Sequence, residues 1–162
     1  MTGRQIFVRV AQHAVGREHD TLVTLGLGSC VAVLLHDPVA RVGGMAHILL
    51  PEQALARDAS NPSKFASTAI PLLAREICEA GGRRGRIRAR LVGGASMFAS
   101  LMTPGSLNMG ERNIAASRQA LRELGIPVLG EDVGADYGRS VRFHVGDGRV
   151  IVSAVGRDDV SL

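Results

Sequence analysis

The 162-residue sequence predicts an α/β protein of the α+β type, a single layered domain over residues 1–162 with mixed or antiparallel β-sheets and flanking helices. Three observations predict it. Short apolar, β-branched runs recur along the chain, and several are joined by tight-turn signals. Only two segments carry the 3.6-residue apolar period of a helix. This mixture of hairpins with two helices argues against a doubly wound parallel sheet.

In chain order, Ile6–Val10 reads as a short strand, and the polar stretch His13–Asp20 as a loop. Thr21–Leu25 is a second strand, running into Gly26-Leu27-Gly28-Ser29-Cys30, where two glycines bend the chain. Val31–Leu35 and Val42–Leu50 are apolar runs on either side of the turn signal His36–Arg41. Pro51 stops the second run. A helix is expected from about Lys64 to Glu79, with an apolar stripe of Phe65, Ala69, Leu72, Leu73 and Ile77 that Glu76 interrupts. Pro71 predicts a kink or a later start, and Gly81-Gly82 ends the segment. Ile87–Val92 is a strand with Arg86, Arg88 and Arg90 on one face. A Gly-rich segment spans Gly93–Gly105. Gly110–Leu124 is the second helix, with Gly125 as its terminal cap. Ile126–Val133 is a strand. Ser140–Val145 and Arg149–Val155 flank Gly146-Asp147-Gly148 as a hairpin.

Composition narrows the function classes. With 46% hydrophobic and 21% charged residues, the chain can bury a core and is not a disordered segment. With 3% aromatics and no Trp, that core must come from Val, Leu, Ile, Ala and Met. The net charge of +4 favours an acidic partner, be it nucleic acid, an anionic membrane or an acidic protein. Scarce aromatics count against single-strand nucleic-acid recognition. Two cysteines, Cys30 and Cys78, make neither a disulfide framework nor a zinc cluster. Met1–Gln5 opens no signal-like stretch, and no later run is long enough to span a membrane, so a reducing cytoplasm is the expected location.

Cys30 and His47 are the candidate reactive pair. With the turn centred between Pro38 and Val39, Leu35 faces Val42, Val33 faces Gly44 and Cys30 faces His47. Facing residues of an antiparallel pair share a side of the sheet, with Cβ atoms about 5 Å apart. A bulge at Gly43-Gly44 shifts this register by one. An imidazole at that spacing can take a thiol proton and later return one to a leaving amine. Gly26, Gly28 and Ser29 leave little bulk before the thiol, so backbone amides around Ser29 and Cys30 can face a developing oxyanion. The Thr24 hydroxyl can orient His47. A cysteine in an apolar run also packs as a small core residue, and a lone histidine is commonly structural. The residues by themselves leave both readings open.

Thr24-Leu25-Gly26-Leu27-Gly28-Ser29-Cys30 and Gly43-Gly44-Met45-Ala46-His47-Ile48-Leu49-Leu50-Pro51 resemble the signature of the CheD family, the chemoreceptor glutamine deamidases. Gly93-Gly94-Ala95-Ser96-Met97-Phe98, Gly110-Glu111-Arg112-Asn113, Asp132-Val133-Gly134 and Tyr137-Gly138-Arg139-Ser140 resemble further motifs of the same family, in the same order. The resemblance implies a cysteine hydrolase fold shared with some deamidating toxins. It implies hydrolysis of selected receptor glutamines to glutamate with release of ammonia. It also implies catalytic roles for Cys30, His47 and Thr24, no metal or organic cofactor, receptor cytoplasmic helices as substrate and, in some members, the phosphatase CheC as partner. The chain departs from the family pattern at Phe65 and Ser67, where Tyr and Asp are expected, and at Ala135, where glycine is common.

Other features carry weaker chemistry. Gly26-x-Gly28 lacks the third glycine of a dinucleotide loop. Cys78 reads as a packed or inert thiol in a helix. His13, His19, His36 and His144 lack metal-ligand spacing. Arg83–Arg90 is either a solvated strand edge or a docking patch for acidic helices. Glu111 at a helix start favours the helix dipole, and Glu111, Arg112 and Asn113 read as capping and packing residues. Tyr137-Gly138-Arg139 is a candidate wall of a substrate cleft. A thiol protease or acyltransferase, and a non-catalytic adaptor, are the alternatives to a deamidase.

Overall fold

The computed structural model describes residues 3–97 and 108–162; Phe98 of the second glycine motif, and the Gly-rich segment up to Gly105, lie outside them. Its strands are β1 (Gln5–Phe7), β2 (His13–Arg17), β3 (Thr21–Leu27), β4 (Val31–Asp37), β5 (Val42–Ile48), β6 (Arg88–Gly93), β7 (Val128–Val133), β8 (Arg139–His144), β9 (Arg149–Ser153) and β10 (Val160–Ser161). The helices are α1 (Ala66–Glu79) and α2 (Met109–Glu123). The strands form two five-stranded mixed sheets, ordered β1-β3-β8-β9-β10 and β2-β5-β4-β6-β7.

Alternation along the strands sets the layers. In β4, Val31, Val33 and Leu35 pack with Ala46 and Ile48 of β5 against Ile70, Leu73 and Leu121 of the helices. Ala32 and Leu34 point the other way, with Met45, into a second cluster with Leu22, Val141, Phe143 and Val152 of the other sheet. The order is therefore sheet, sheet, helices, and β4 and β5 are buried on both faces. Gly43 and Gly44 permit this. A Cβ on Gly43 would lie 2.7 Å from Cζ of Phe143, and one on Gly44 would lie 2.5 Å from Cδ1 of Leu73.

The structure changes several expectations. The β4–β5 register pairs Val33 with Ala46, Leu35 with Gly44 and Asp37 with Val42, two residues away from the expected pairing and without a bulge at Gly43-Gly44. The cause is Asp37, whose buried carboxylate accepts from the Val39 and Ala40 amides (2.9 and 3.0 Å) and closes a longer turn. The same carboxylate accepts from the Arg83 amide (2.8 Å) and pairs with Arg86 (3.0 Å).

The expected loop at His13–Asp20 contains β2, an edge strand antiparallel to β5. It is tied to α1 through His13, which bonds Ser63 Oγ at 2.5 Å and Glu76. Glu76, the interruption in the α1 stripe, thus has a partner. Helix α1 starts at Ala66 rather than Lys64 and runs through Pro71, after a 3-10 turn at Pro62–Lys64 capped by Asn61. Strand β6 lies between β4 and β7, so the Arg run does not form a sheet edge. Among the described residues, no helix is long and apolar enough to cross a membrane.

Candidate active site

The site residues converge at the interface of the two sheets. Strand β3 is interrupted between Thr24, which pairs with Val141, and Leu27, which pairs with Arg139. Gly26 sits in this bulge with φ +67°, a conformation that favours glycine. The bulge separates Thr24 from the Gly28–Cys30 turn that leads into β4.

His47 faces Ala32, not Cys30. Cys30 lies two residues before Ala32, and both belong to the inter-sheet cluster. A two-residue shift preserves the side of the strand, so Cys30 is a diagonal neighbour of His47 rather than its direct partner. Diagonal neighbours sit farther apart than facing ones. Among the described residues, the buried His47 Nε2 has no hydrogen-bond partner, so the thiol and imidazole do not form a bonded pair in this state.

Thr24, on the opposing sheet, determines which imidazole nitrogen is basic. Its Oγ1 lies 2.6 Å from the Val8 carbonyl oxygen and 2.8 Å from His47 Nδ1. The carbonyl only accepts, so the single hydroxyl proton goes to Val8. Thr24 must then accept from Nδ1–H. The neutral ring carries its proton on Nδ1, and the lone pair is on Nε2.

Burial acts on both titrating groups. It pushes the Cys30 thiol above its ordinary value and lowers His47, with the Val8 carbonyl partly opposing the shift. The resting combination is a thiol and a neutral imidazole. A nucleophile in this setting is activated by proton transfer during attack.

The turn bearing Cys30 is tied down by its carbonyls. Gly28 O accepts from Ala95 N (2.9 Å) and Cys30 O from Gly94 N (2.8 Å). Ser29 O accepts from Asn113 Nδ2 at 2.9 Å. Among the described residues, the Ser29 and Cys30 amides donate to no acceptor. Backbone N–H groups of this kind are what oxyanion stabilisation requires.

Two clefts reach this region and share Gly26. One, of about 510 Å³, is lined by Phe7, Val10, Thr24, Leu25 and His47. The other, of about 680 Å³, is lined by Met97, Tyr137, Gly138, Ser153 and Val155. Arg139 and Arg157 hold the Tyr137 ring from 4.4 and 3.8 Å. Phe7, Val10, Leu25, Met97 and Val155 are exposed, leaving an apolar rim around the site.

Comparison with known proteins sets this geometry in a family. Residues 49–154 match the family described as CheD chemotactic sensory transduction. The chain belongs to the CheD family. A CheD relative from Moorella thermoacetica is 44% identical over 155 residues, covering 95% of this chain and 93% of its own. One from Caldanaerobacter subterraneus subsp. tengcongensis is 41% identical over 156 residues, 96% of each chain. Both are named as probable chemoreceptor glutamine deamidases CheD. The Neisseria meningitidis protein NMB0706, of family DUF152, shares the fold, with a TM-score of 0.51 and 12% identity over 82% of this chain and 64% of its own.

The remaining sequence candidates fall elsewhere. His36 bonds the Val145 carbonyl at 2.7 Å, and His13 belongs to the β2–α1 contact. Cys78 is half-buried at the margin of the helix-side core. Among the described residues, no three His, Cys, Asp or Glu side chains cluster as metal ligands. Sequence reasoning missed the register-setting role of Asp37 and assigned Asn113 only to capping and packing. The available signal for Asn113 was its place between Gly110, Ile114 and Ser117 on the buried side of α2, where an amide needs partners.

Proposed function

We propose that this chain is a protein-glutamine deamidase acting on chemoreceptors, with Cys30 as nucleophile, His47 as base and Thr24 as the group that orients His47. The observation that carries the reading is the Thr24–His47 hydrogen bond at 2.8 Å beside the buried, unpartnered Nε2, in a chain of the CheD family.

Nε2 takes the Cys30 proton as sulfur attacks the glutamine carboxamide carbon. The oxyanion faces the Ser29 and Cys30 amides, with Gly28 leaving space before them. The C–N bond breaks, and ammonia leaves with the proton from Nε2. His47 then draws a proton from water, which attacks the thioester. The products are glutamate and the restored thiol.

The net charge of +4 suits acidic receptor helices, and the apolar rim suits their apolar residues. The family resemblance supports two further parts of this reading, the phosphatase CheC as a second partner and the cytoplasm as the place of action. Co-purification of the two proteins tests the former.

The deciding experiment is mass spectrometry of a receptor cytoplasmic domain after incubation with wild type or Cys30→Ala. Conversion of glutamine to glutamate by wild type alone is expected. Equal conversion by Cys30→Ala sinks the assignment, and a cut receptor chain points to a thiol protease instead.

A further inference from the structure

We infer that Asn113 is a positioning residue that holds the nucleophile turn and the base-bearing strand together; this rests on the assignment of Cys30 and His47 above. Asn113 lies in α2 and is fully buried. Its side-chain amide has two protons and uses both. Nδ2 donates to Ser29 O at 2.9 Å and to Leu49 O at 3.0 Å. Ser29 precedes the nucleophile, and Leu49 follows His47 by two residues. A single side chain from a third element therefore spans the two segments that must bring thiol and imidazole together.

Helix α2 is itself anchored against the same turn. Asn108 caps it, accepting from the Glu111 amide at 2.8 Å. A Cβ on Gly110 would lie 2.5 Å from the Gly94 and Ala95 carbonyl oxygens. Gly94 and Ala95 are the residues whose amides hold Cys30 O and Gly28 O. Three successive carbonyls, at Gly28, Ser29 and Cys30, are thereby fixed, and only the middle one depends on a side chain.

This arrangement matters because Cys30 and His47 are diagonal neighbours with no bond between them. A diagonal pair has no ladder bond of its own to fix the approach of sulfur to Nε2. The Asn113 bridge supplies that constraint, and a small misplacement of reacting groups costs a large factor in rate. Removing the amide frees Ser29 O and Leu49 O, and the two segments relax independently.

The test compares wild type, Asn113→Ala, Asn113→Ser, His47→Ala and the double variant Asn113→Ala/His47→Ala. The first readout is the rate of Cys30 alkylation by iodoacetamide against pH, in a Cys78→Ser background. It needs no substrate, so it stays informative if deamidation itself fails. In wild type, His47 shapes this profile. In Asn113→Ala the profile is expected to move to that of His47→Ala, and the double variant to match His47→Ala. The second readout is deamidation. Asn113→Ala is expected to lower kcat roughly 10- to 100-fold with KM little changed. Asn113→Ser keeps one donor and is expected to fall between, which preserves the test if the alanine variant does not fold. Wild-type alkylation and kcat in a folded Asn113→Ala or Asn113→Ser overturn the inference. So does a further change when Asn113→Ala is added to His47→Ala. If wild type itself deamidates no receptor while the alkylation pattern holds, the functional reading fails and the positioning role stands.

Discussion

Thr24 Oγ1 accepts from His47 Nδ1–H across the two sheets, at 2.8 Å, while giving its own proton to the Val8 carbonyl. One hydroxyl thus fixes the tautomer of a histidine on another sheet and leaves the lone pair on Nε2, the nitrogen proposed as base.

Thr24→Ala removes the hydroxyl that both the buried Nδ1–H and the Val8 carbonyl use. A buried group left unsatisfied costs about 1–3 kcal/mol. Deamidation is expected to fall roughly 10- to 100-fold in kcat/KM, and Thr24→Ser is expected to restore most of it. Steady-state kinetics on a receptor domain checks this; equal loss in both variants would falsify the hydroxyl's role.

Activity should persist into mildly acidic solution. Burial lowers the His47 pKa below its ordinary 6.5, so the neutral base survives to lower pH. The acid limb of kcat/KM is expected below pH 6.5. The same depressed value means that folding stability is lost as pH falls, because the unfolded chain takes up a proton that the native site resists. A pH–rate profile with its acid limb above 6.5 contradicts the assignment of His47 as base.

Asp37 should make the fold acid-sensitive. Burial would raise its carboxyl, but the Ala40 and Arg83 amides, the Arg86 guanidinium and the Val39 amide bring it down to about 2 from 3.8. A depressed folded pKa gives stability that is present above the unfolded value and lost as pH falls toward 2. The contribution is about 2 kcal/mol. Denaturant melts from pH 6 to pH 2 are expected to lose this increment in wild type, and to be flatter and lower overall in Asp37→Asn.

Gly44→Ala should destabilise through a specific clash. The new methyl would meet Leu73 Cδ1 at 2.5 Å and the Ala14 carbonyl oxygen at 3.1 Å. Overpacking of this kind costs about 1–3 kcal/mol. Leu73→Ala opens a cavity on its own, yet the double variant is expected to be more stable than the sum of the two changes predicts. Thermal unfolding of the four proteins measures the coupling, and strict additivity would contradict the contact.

Much of this was legible along the chain. The β4–β5 hairpin stands out because two apolar runs flank a proline turn. The period of two in a strand then puts Cys30 and His47 on one side even when the register is two residues off. The register itself was not legible. It depends on Asp37 closing the longer turn while held by Arg83 and Arg86, which are remote in sequence. Strand β2 was not legible because His13-Ala14-Val15-Gly16-Arg17 carries no apolar–polar alternation; its order comes from β5 and from the His13 contacts to Ser63 and Glu76. Of the two readings of the Arg run, the strand edge is excluded because β6 lies between β4 and β7, and strand order is a property of the assembled sheet.

Alone, the sequence determined the thiol, the imidazole, the hairpin that carries them and the run of motifs that resembles one family. Neighbouring residues and a two-residue repeat suffice for that. Only the tertiary structure decided that Thr24 reaches His47 from the opposing sheet and that Asn113 ties Ser29 to Leu49. Those contacts arise when Phe143 packs over Gly43 and α2 seats on Gly94-Ala95. They come from the summed packing of many distant side chains, which no local pattern encodes.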